Sequence, residues 1–370
     1  MPELESVSIK GFKSIAAVEN LKLGAINVVI GPNGSGKSNF IGVFSFLHAL
    51  REGHLQEYTA RAGGAEKLLH FGSKVTEKLC VHVVFEKGKS LFASLPRDGP
   101  EDEYEVECKP TAADELVPSG EWVYSEGMRK QLSSVGKEAC ISLESAIGIT
   151  SVIRGHLDSW RLYHFHDTSV GSPIKRTADV NDNRYLRPDG SNLASFLYYL
   201  KEKEGNSYGL IRRTVQRIAP FFDDFVLEPQ RLNPEKIRLE WRHRNSEAYF
   251  DAASLSDGSL RFIALATLLL QPVSKRPSVI LVDEPELGLH PYAITMLASL
   301  VKQASAGTQV ILSTQSPMLL DHFNPEDVLV TETVAGATRL ERLDSARLAT
   351  WLEHYSLGQL WEKNEFGGRP

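Results

Sequence analysis

The sequence predicts an α/β fold, and three observations carry that expectation. The β-rich run "INVVI" stops at Gly31-Pro32 and gives way to an amphipathic helix from about Ser38. Two later apolar runs, "SVILVDE" and "TQVILST", are separated by a helical span at about 291–306. A further helix at about 259–270 comes just before them. Strand–helix–strand order of this kind indicates parallel sheet with crossover helices.

The elements follow in chain order. "LESVSIKGF" alternates apolar and polar residues and predicts a strand ahead of "INVVI". The helix from Ser38 gathers Phe40, Ile41, Phe44, Phe46, Leu47 and Leu50 on one broad face. "KLCVHVVFEKGKSLFASL" reads as two strands around a Lys-Gly turn, hence antiparallel sheet beside the first strands. Residues 96–136, rich in Pro, Gly and acids, are expected to be a loop-rich insertion. "SVIRGHLDSW" then reads as a helix and "RLYHFH" as a strand. "SNLASFLYYLKEKEG" predicts a helix with Ser191 as its cap and Gly205 as its stop. A second helix ends before Pro220, and strands are expected within 225–250. Pro291 suits the first turn of the 291–306 helix and Gly307 its stop. A last helix is expected around 345–355. No heptad run lasts three repeats, so no coiled-coil arm is expected.

Composition narrows the function classes. The 370 residues are 42% hydrophobic and 24% charged, as in ordinary globular chains. The longest apolar run, "FIALATLLL", is far short of the roughly 20 residues a membrane helix needs. "MPELESVSIKGFK" lacks the basic-then-apolar layout of a signal peptide, so a cytoplasmic protein with no membrane partner is expected. Cys80, Cys108 and Cys140 show no C-x-x-C spacing, which favours reduced thiols over zinc. A net charge of −6 gives no overall pull toward nucleic acid. The charge is uneven, however. Residues 98–126 hold ten Asp/Glu against one Lys, and 154–244 hold sixteen Lys/Arg against twelve Asp/Glu. The second stretch is either an ordinary mixed surface or a face for nucleic acid or an acidic partner.

Three segments carry chemistry. "GPNGSGKS" (31–38) fits G-x-x-x-x-G-K-[ST] with a strand before it and a helix after it. Glycines let backbone N–H groups turn inward on phosphate oxygens, Lys37 bridges the β- and γ-phosphates, and Ser38 binds Mg2+. The nucleotide-binding set is Asn33, Gly34, Ser35, Gly36, Lys37, Ser38 and Asn39. "SVILVDEPELGLHP" is an apolar strand ending in Asp283, a candidate Mg2+ ligand, and Glu284, a candidate base for the attacking water. Glu286 and His290 follow, His290 being either a helix-start residue or a subunit contact. "SLSDGSLRFIALATLLL" sets Ser256 and Gly258 just before an apolar helix, which alone is an ordinary capped helix start.

In order, the phosphate loop, "LSDGS", "ILVDEPELGLHP" and "ILSTQSP" resemble an ABC-type ATPase of the SMC/RecF/OLD-like branch. "IKGFKSI" resembles that branch's N-terminal strand, which makes Lys13 a candidate nucleotide contact. The similarity spans essentially the whole chain and looks like the compact stand-alone members. The resemblance implies an ABC-ATPase P-loop fold with a mixed central sheet, an antiparallel β subdomain and a helical subdomain. It implies one domain over 1–370: a P-loop half at 1–85, an insertion lobe at 86–250, and the signature, Walker B and switch at 251–370. It also implies a homodimer around ATP, possibly a higher oligomer, in which Ser256 and Gly258 complete the partner's site. DNA, or a separate nuclease or toxin, is the implied cargo.

Departures matter as well. Neither an SMC-length coiled coil nor a Toprim nuclease segment is expected, and no clear Q-loop glutamine is found. "YHFHDTS" (163–169) stands in that region, either as core or Q-loop-like residues or, through His164, His166 and Asp167, as a metal site. The switch position, usually histidine, carries Gln315. Its amide can donate to a γ-phosphate but cannot become cationic, so slow turnover is expected.

Overall fold

The structure, a computed structural model, describes residues 3–86, 101–125, 127–132, 136–143, 148–169 and 171–368. The chain divides into two compact units, one of residues 1–160 with 324–370 and one of residues 161–323.

The first unit opens on β1 (Leu4–Phe12) and β2 (Ile15–Lys22), which pair antiparallel. Lys13, at a left-handed φ of 49°, sits in the turn between them. Leu4, Val7, Ile9 and Phe12 are fully buried, and register shifts at Leu4/Ser6 and Val7/Ile9 interrupt the alternation. All five residues of β3 (Ile26–Ile30) are buried, as in a strand covered on both faces. α1 (Lys37–Glu52) buries the predicted Phe/Ile/Leu face and stops at Gly53, whose N–H reaches back to the Ala49 and Leu50 carbonyls. α2 (Leu55–Arg61) and α3 (Ala65–Leu68) follow. β4 (Leu79–Phe85), β5 (Asp102–Pro110), β6 (Leu116–Ser125) and β7 (Met128–Gln131) extend the first hairpin into a six-stranded antiparallel sheet, ordered β2-β1-β4-β5-β6-β7.

This sheet corrects the reading of 96–136 as loop-rich. Glu103, Glu105 and Glu107 alternate with Tyr104, Val106 and Cys108, and the latter three are wholly buried. The acids are the outer face of a strand, so their density says nothing against regular structure. The Lys-Gly turn at 87–88 and the strand expected after it lie outside the described residues. α4 (Ile149–Asp158) is tied to the sheet by His156, whose ring stacks on Phe85 at 4.4 Å. His156 Nδ1 is 2.9 Å from Glu3 Oε1, and Nε2 is 3.9 Å from Asp102. Burial alone would lower its pKa, but the two carboxylates outweigh that and raise it to about 9.

β8 (Trp160–Tyr163) runs across the boundary between the units, and β9 (Ala178–Asp179) follows. α5 (Leu193–Lys203) and α6 (Gly205–Ile218) are separated by Glu204 alone. Ser191 does not cap α5, and Gly205 begins α6. The buried Asn192 precedes α5 instead, accepting from the Arg187 N–H and donating to the Asp182 and Tyr185 carbonyls, each at 2.8 Å. β10 (Phe222–Val226), β11 (Lys236–Ile237), β12 (Glu240–His243) and β13 (Tyr249–Asp251) are short strands that occupy only parts of the expected 225–250 span, with β10 starting ahead of it. β11 pairs with β9, and β10-β12-β13 form a small antiparallel sheet.

α7 (Asp257–Leu270) is apolar nearly all round and buried from Leu260 onward. β14 (Val279–Asp283), α8 (Pro291–Ser305) and β15 (Gln309–Ser313) form the predicted strand–helix–strand unit, with β14 and β15 in parallel register and Asp283 opposite Ser313. α9 (Pro317–Leu320) closes this unit.

The chain re-enters the first unit through β16 (Val328–Val334) and β17 (Ala337–Arg342), a hairpin missed in the sequence. β16 runs parallel to β3, giving a mixed sheet. α10 (Ser345–Leu352) and α11 (Leu357–Glu362) follow, so the helix expected over 345–355 is shorter and has a successor. Among the described residues, no helix is long and apolar enough to cross a membrane.

Candidate functional site

In the first unit, the loop between β3 and α1 is shaped by what lies beneath it. Gly31 has φ 151° and Gly36 φ 104°, and a Cβ at either would overlap a threonine hydroxyl, Thr331 under Gly31 and Thr338 under Gly36. Those threonines belong to β16 and β17. Thr331 Oγ1 donates to the Ile30 carbonyl at 2.9 Å and meets Ser35 Oγ at 2.6 Å. Thr338 Oγ1 donates to the Ser35 carbonyl at 2.8 Å and meets Ser14 Oγ at 2.7 Å, while Asn39 Nδ2 donates to Ser14 Oγ at 2.6 Å. The Ser35 and Asn39 side chains therefore brace the loop from behind, while Asn33, Gly34 and Ser38 are exposed.

Lys37 is 5% exposed, and its Nζ donates to the Gly31 carbonyl at 2.7 Å and to the Pro32 carbonyl at 3.0 Å. A buried ammonium needs such acceptors. No side chain caps α1, and a helix start of this kind, with the positive end of the helix dipole, favours an anion. This helix start, a lysine held against the loop and an exposed serine hydroxyl together fit a triphosphate. Lys13 is half-buried, and burial lowers its pKa. Its Nζ lies 5.5 Å from the Phe12 ring centre, and it lines a depression of about 500 Å³ with Glu66, Lys67, Leu69, Phe71 and Gly72.

In the second unit, β14 and β15 end side by side in polar residues. The Ser313 hydroxyl donates to Asp283 Oδ1. Glu284 takes a left-handed φ of 41°, held by its N–H to the Ser313 carbonyl at 3.0 Å, and its Oε1 accepts from Gln315 Nε2. A non-glycine residue there carries strain of about 1–3 kcal/mol. Thr314 Oγ1 and the Gln315 backbone N–H both donate to Glu286 Oε1, at 2.6 and 3.1 Å. Burial raises the pKa of Glu286. Asp283, Glu284 and Gln315 are thus brought together in this unit.

Ser256 is exposed and caps α7 by accepting from the Ser259 N–H at 3.2 Å. A Cβ at Gly258 would overlap the Gly288 carbonyl, so this glycine lets the helix start meet the loop after β14. His290 Nδ1 accepts from the Tyr292 N–H at 3.3 Å as the cap of α8. The His164 and His166 rings are 6.4 Å apart, and no group of three metal-ligating side chains occurs among the described residues. That segment is instead pinned by the buried Arg261, which donates to the Phe165 and His166 carbonyls at 3.0 Å each.

A family model described as "AAA domain, putative AbiEii toxin, Type IV TA system" matches residues 26–132 and 135–321. The chain belongs to this family. It carries the AAA-type P-loop ATPase domain of this family, and its fold is that of SMC heads. Its similarity to an SMC head bound to the C-winged helix domain of ScpA covers 94% of this chain and 100% of that one, at TM-score 0.61 and 19% identity. The Thermotoga maritima SMC head is 16% identical at TM-score 0.52, covering 92% of this chain and 99% of that one. A Pyrococcus furiosus SMC head bound to the C-terminal domain of ScpA is 16% identical at TM-score 0.59, covering 95% and 99%. Urease accessory protein 2 of Cryptococcus neoformans var. grubii is 23% identical over 287 residues, 70% of this chain. The chain spans only 23% of that relative's length.

Sequence reasoning missed Ser14, Thr331, Thr338, Arg261 and the role of Glu286. The alternating "VLVTETVAGATRLER" around Ala-Gly could have revealed the bracing hairpin. Nothing local reveals Gly368, which packs against Gly31, a Cβ on it falling 3.6 Å from Gly31 Cα. The buried Trp361 holds Gly368 there by donating from Nε1 to its carbonyl.

Proposed function

We propose that this chain hydrolyses ATP slowly as a dimer formed around the nucleotide, and that the cycle controls a bound macromolecule. Lys37 and the loop N–H groups hold the triphosphate. Glu284 orients the attacking water and takes its proton as the new O–P bond forms and the bond to the β-phosphate oxygen breaks. Ser38 and Asp283 are hard oxygen donors of the kind Mg2+ takes, and they would hold it. When bound, Mg2+ supplies charge neutralisation on the phosphate oxygens. Ser256 and Gly258 face the partner's nucleotide in this reading, which rests on resemblance. Gln315 stays neutral, so turnover is slow.

The observation that carries the proposal is Glu284 held at a strand end by the Gln315 amide beside Asp283. Its test is the mass of Glu284→Gln with ATP by light scattering. Twice the chain mass with ATP, and not in Lys37→Ala, supports the dimer; a monomeric Glu284→Gln with ATP bound sinks it.

Two cargoes are open, DNA and a separate nuclease or toxin. The second is favoured by the family's toxin–antitoxin description and by the partner domains held by the related SMC heads. The basic stretch offers less to DNA than its count suggests. Arg212 is paired with Asp224 at 3.0 Å, Arg242 with Asp223 at 2.6 Å and Arg238 with Glu240 at 2.5 Å. Salt-dependent DNA binding would reverse this preference.

A further inference from the structure

Glu286 stands in the turn after β14, two residues past Glu284. The turn is closed by the Leu287 N–H to the Glu284 carbonyl at 3.2 Å and the Leu289 N–H to the Glu286 carbonyl at 2.9 Å. One carboxylate oxygen does all the visible bonding. Glu286 Oε1 accepts from Thr314 Oγ1 at 2.6 Å and from the Gln315 N–H at 3.1 Å. Thr314 Oγ1 in turn accepts from the Ser316 N–H at 3.0 Å, and Ser316 Oγ caps α9 through the Leu319 N–H at 3.2 Å. Glu286 Oε2 is buried with no hydrogen-bond partner among the described residues. A carboxylate so placed is costly, and packing alone would be met by an apolar side chain of similar size.

What Glu286 secures is Gln315, the second residue after β15. Gln315 is held at two points, its backbone N–H by Glu286 and its side-chain amide by Glu284. The acidic turn thus grips both ends of one residue, and Glu284 is itself held in a left-handed conformation. The geometry points to Glu286 as a positioning residue for ATP hydrolysis: Oε1 fixes the Gln315 backbone so that the Gln315 amide meets Glu284 Oε1. This rests on Glu284 being the hydrolytic base.

The test combines steady-state ATPase kinetics, ATP titration and hydrogen exchange at the Gln315 amide in the full chain. Glu286→Ala lowers kcat about tenfold and leaves the ATP Kd within about twofold. Glu286→Gln, whose amide carbonyl can accept both hydrogen bonds, recovers kcat to within about threefold of the parent, a rescue that general destabilisation would not give. In a Gln315→Ala background, Glu286→Ala costs less than about twofold more, because both act through one residue. The Gln315 amide exchanges about tenfold faster in Glu286→Ala but not in Glu286→Gln. Parental kcat in Glu286→Ala, losses that multiply in the double variant, or unchanged amide exchange would each overturn the proposal. Parental turnover in Glu284→Gln breaks the base assignment instead, and the exchange result then decides the anchor alone.

Discussion

In the first unit, Lys37 is buried and turned onto the Gly31 and Pro32 carbonyls, and the loop around it is fixed by glycines pressed on threonine hydroxyls. In the second unit, Glu284 is half-buried in a left-handed conformation, and its neighbours Gln315 and Glu286 are positioned by side-chain hydrogen bonds. One region is determined by steric exclusion, where a single added methyl cannot be accommodated. The other is determined by a polar network that tolerates substitution of shape but not of donors and acceptors. Steric exclusion suits a rigid anion cradle, whereas a network under strain suits a group that must change partner during a reaction.

The largest effect that could break this contrast is Gly36→Ala. It meets both the hydroxyl beneath and an unfavourable φ, so it should cost about 2–4 kcal/mol by urea unfolding. A cost under about 1 kcal/mol would show that the loop is not sterically fixed.

Solution pH separates the units next. His156 in the first unit has a pKa raised to about 9 from an ordinary 6.5. Its contribution, up to about 3 kcal/mol, is fully present below pH 6.5 and is lost as pH rises through 9. His156→Gln should flatten the fall in stability between those values, and an unchanged pH slope would contradict the ion-pair account.

Gln315→Ala tests the network. It should lower turnover about tenfold while unfolding stability changes by less than about 0.5 kcal/mol. The smallest expected effect is Thr338→Val, which keeps shape but loses the bonds to Ser35 and Ser14, at about 1 kcal/mol. Its ATP affinity should fall more than its turnover.

The same contrast explains what could be read from the sequence. Gly31, Gly36 and Lys37 were legible because steric demands restrict the residue type, and the apolar runs of β3, β14 and β15 because burial on both faces restricts it too. β5 was misread because its outward face is almost all acid, and charge density hid a period of two. The hairpin under the loop was missed because Thr331 and Thr338 look like ordinary strand residues, and their role depends on contacts some 300 residues away in sequence. The role of Glu286 leaves no local signature, because its hydrogen-bond partners Thr314 and Gln315 lie 28 and 29 residues on, just past the end of β15.

The most direct test of the division between a binding cradle and a hydrolytic strand end is single-turnover hydrolysis by Glu284→Gln. ATP should bind with the parental Kd and remain intact, its cleavage slowed at least about 100-fold. Cleavage at the parental rate would contradict the account.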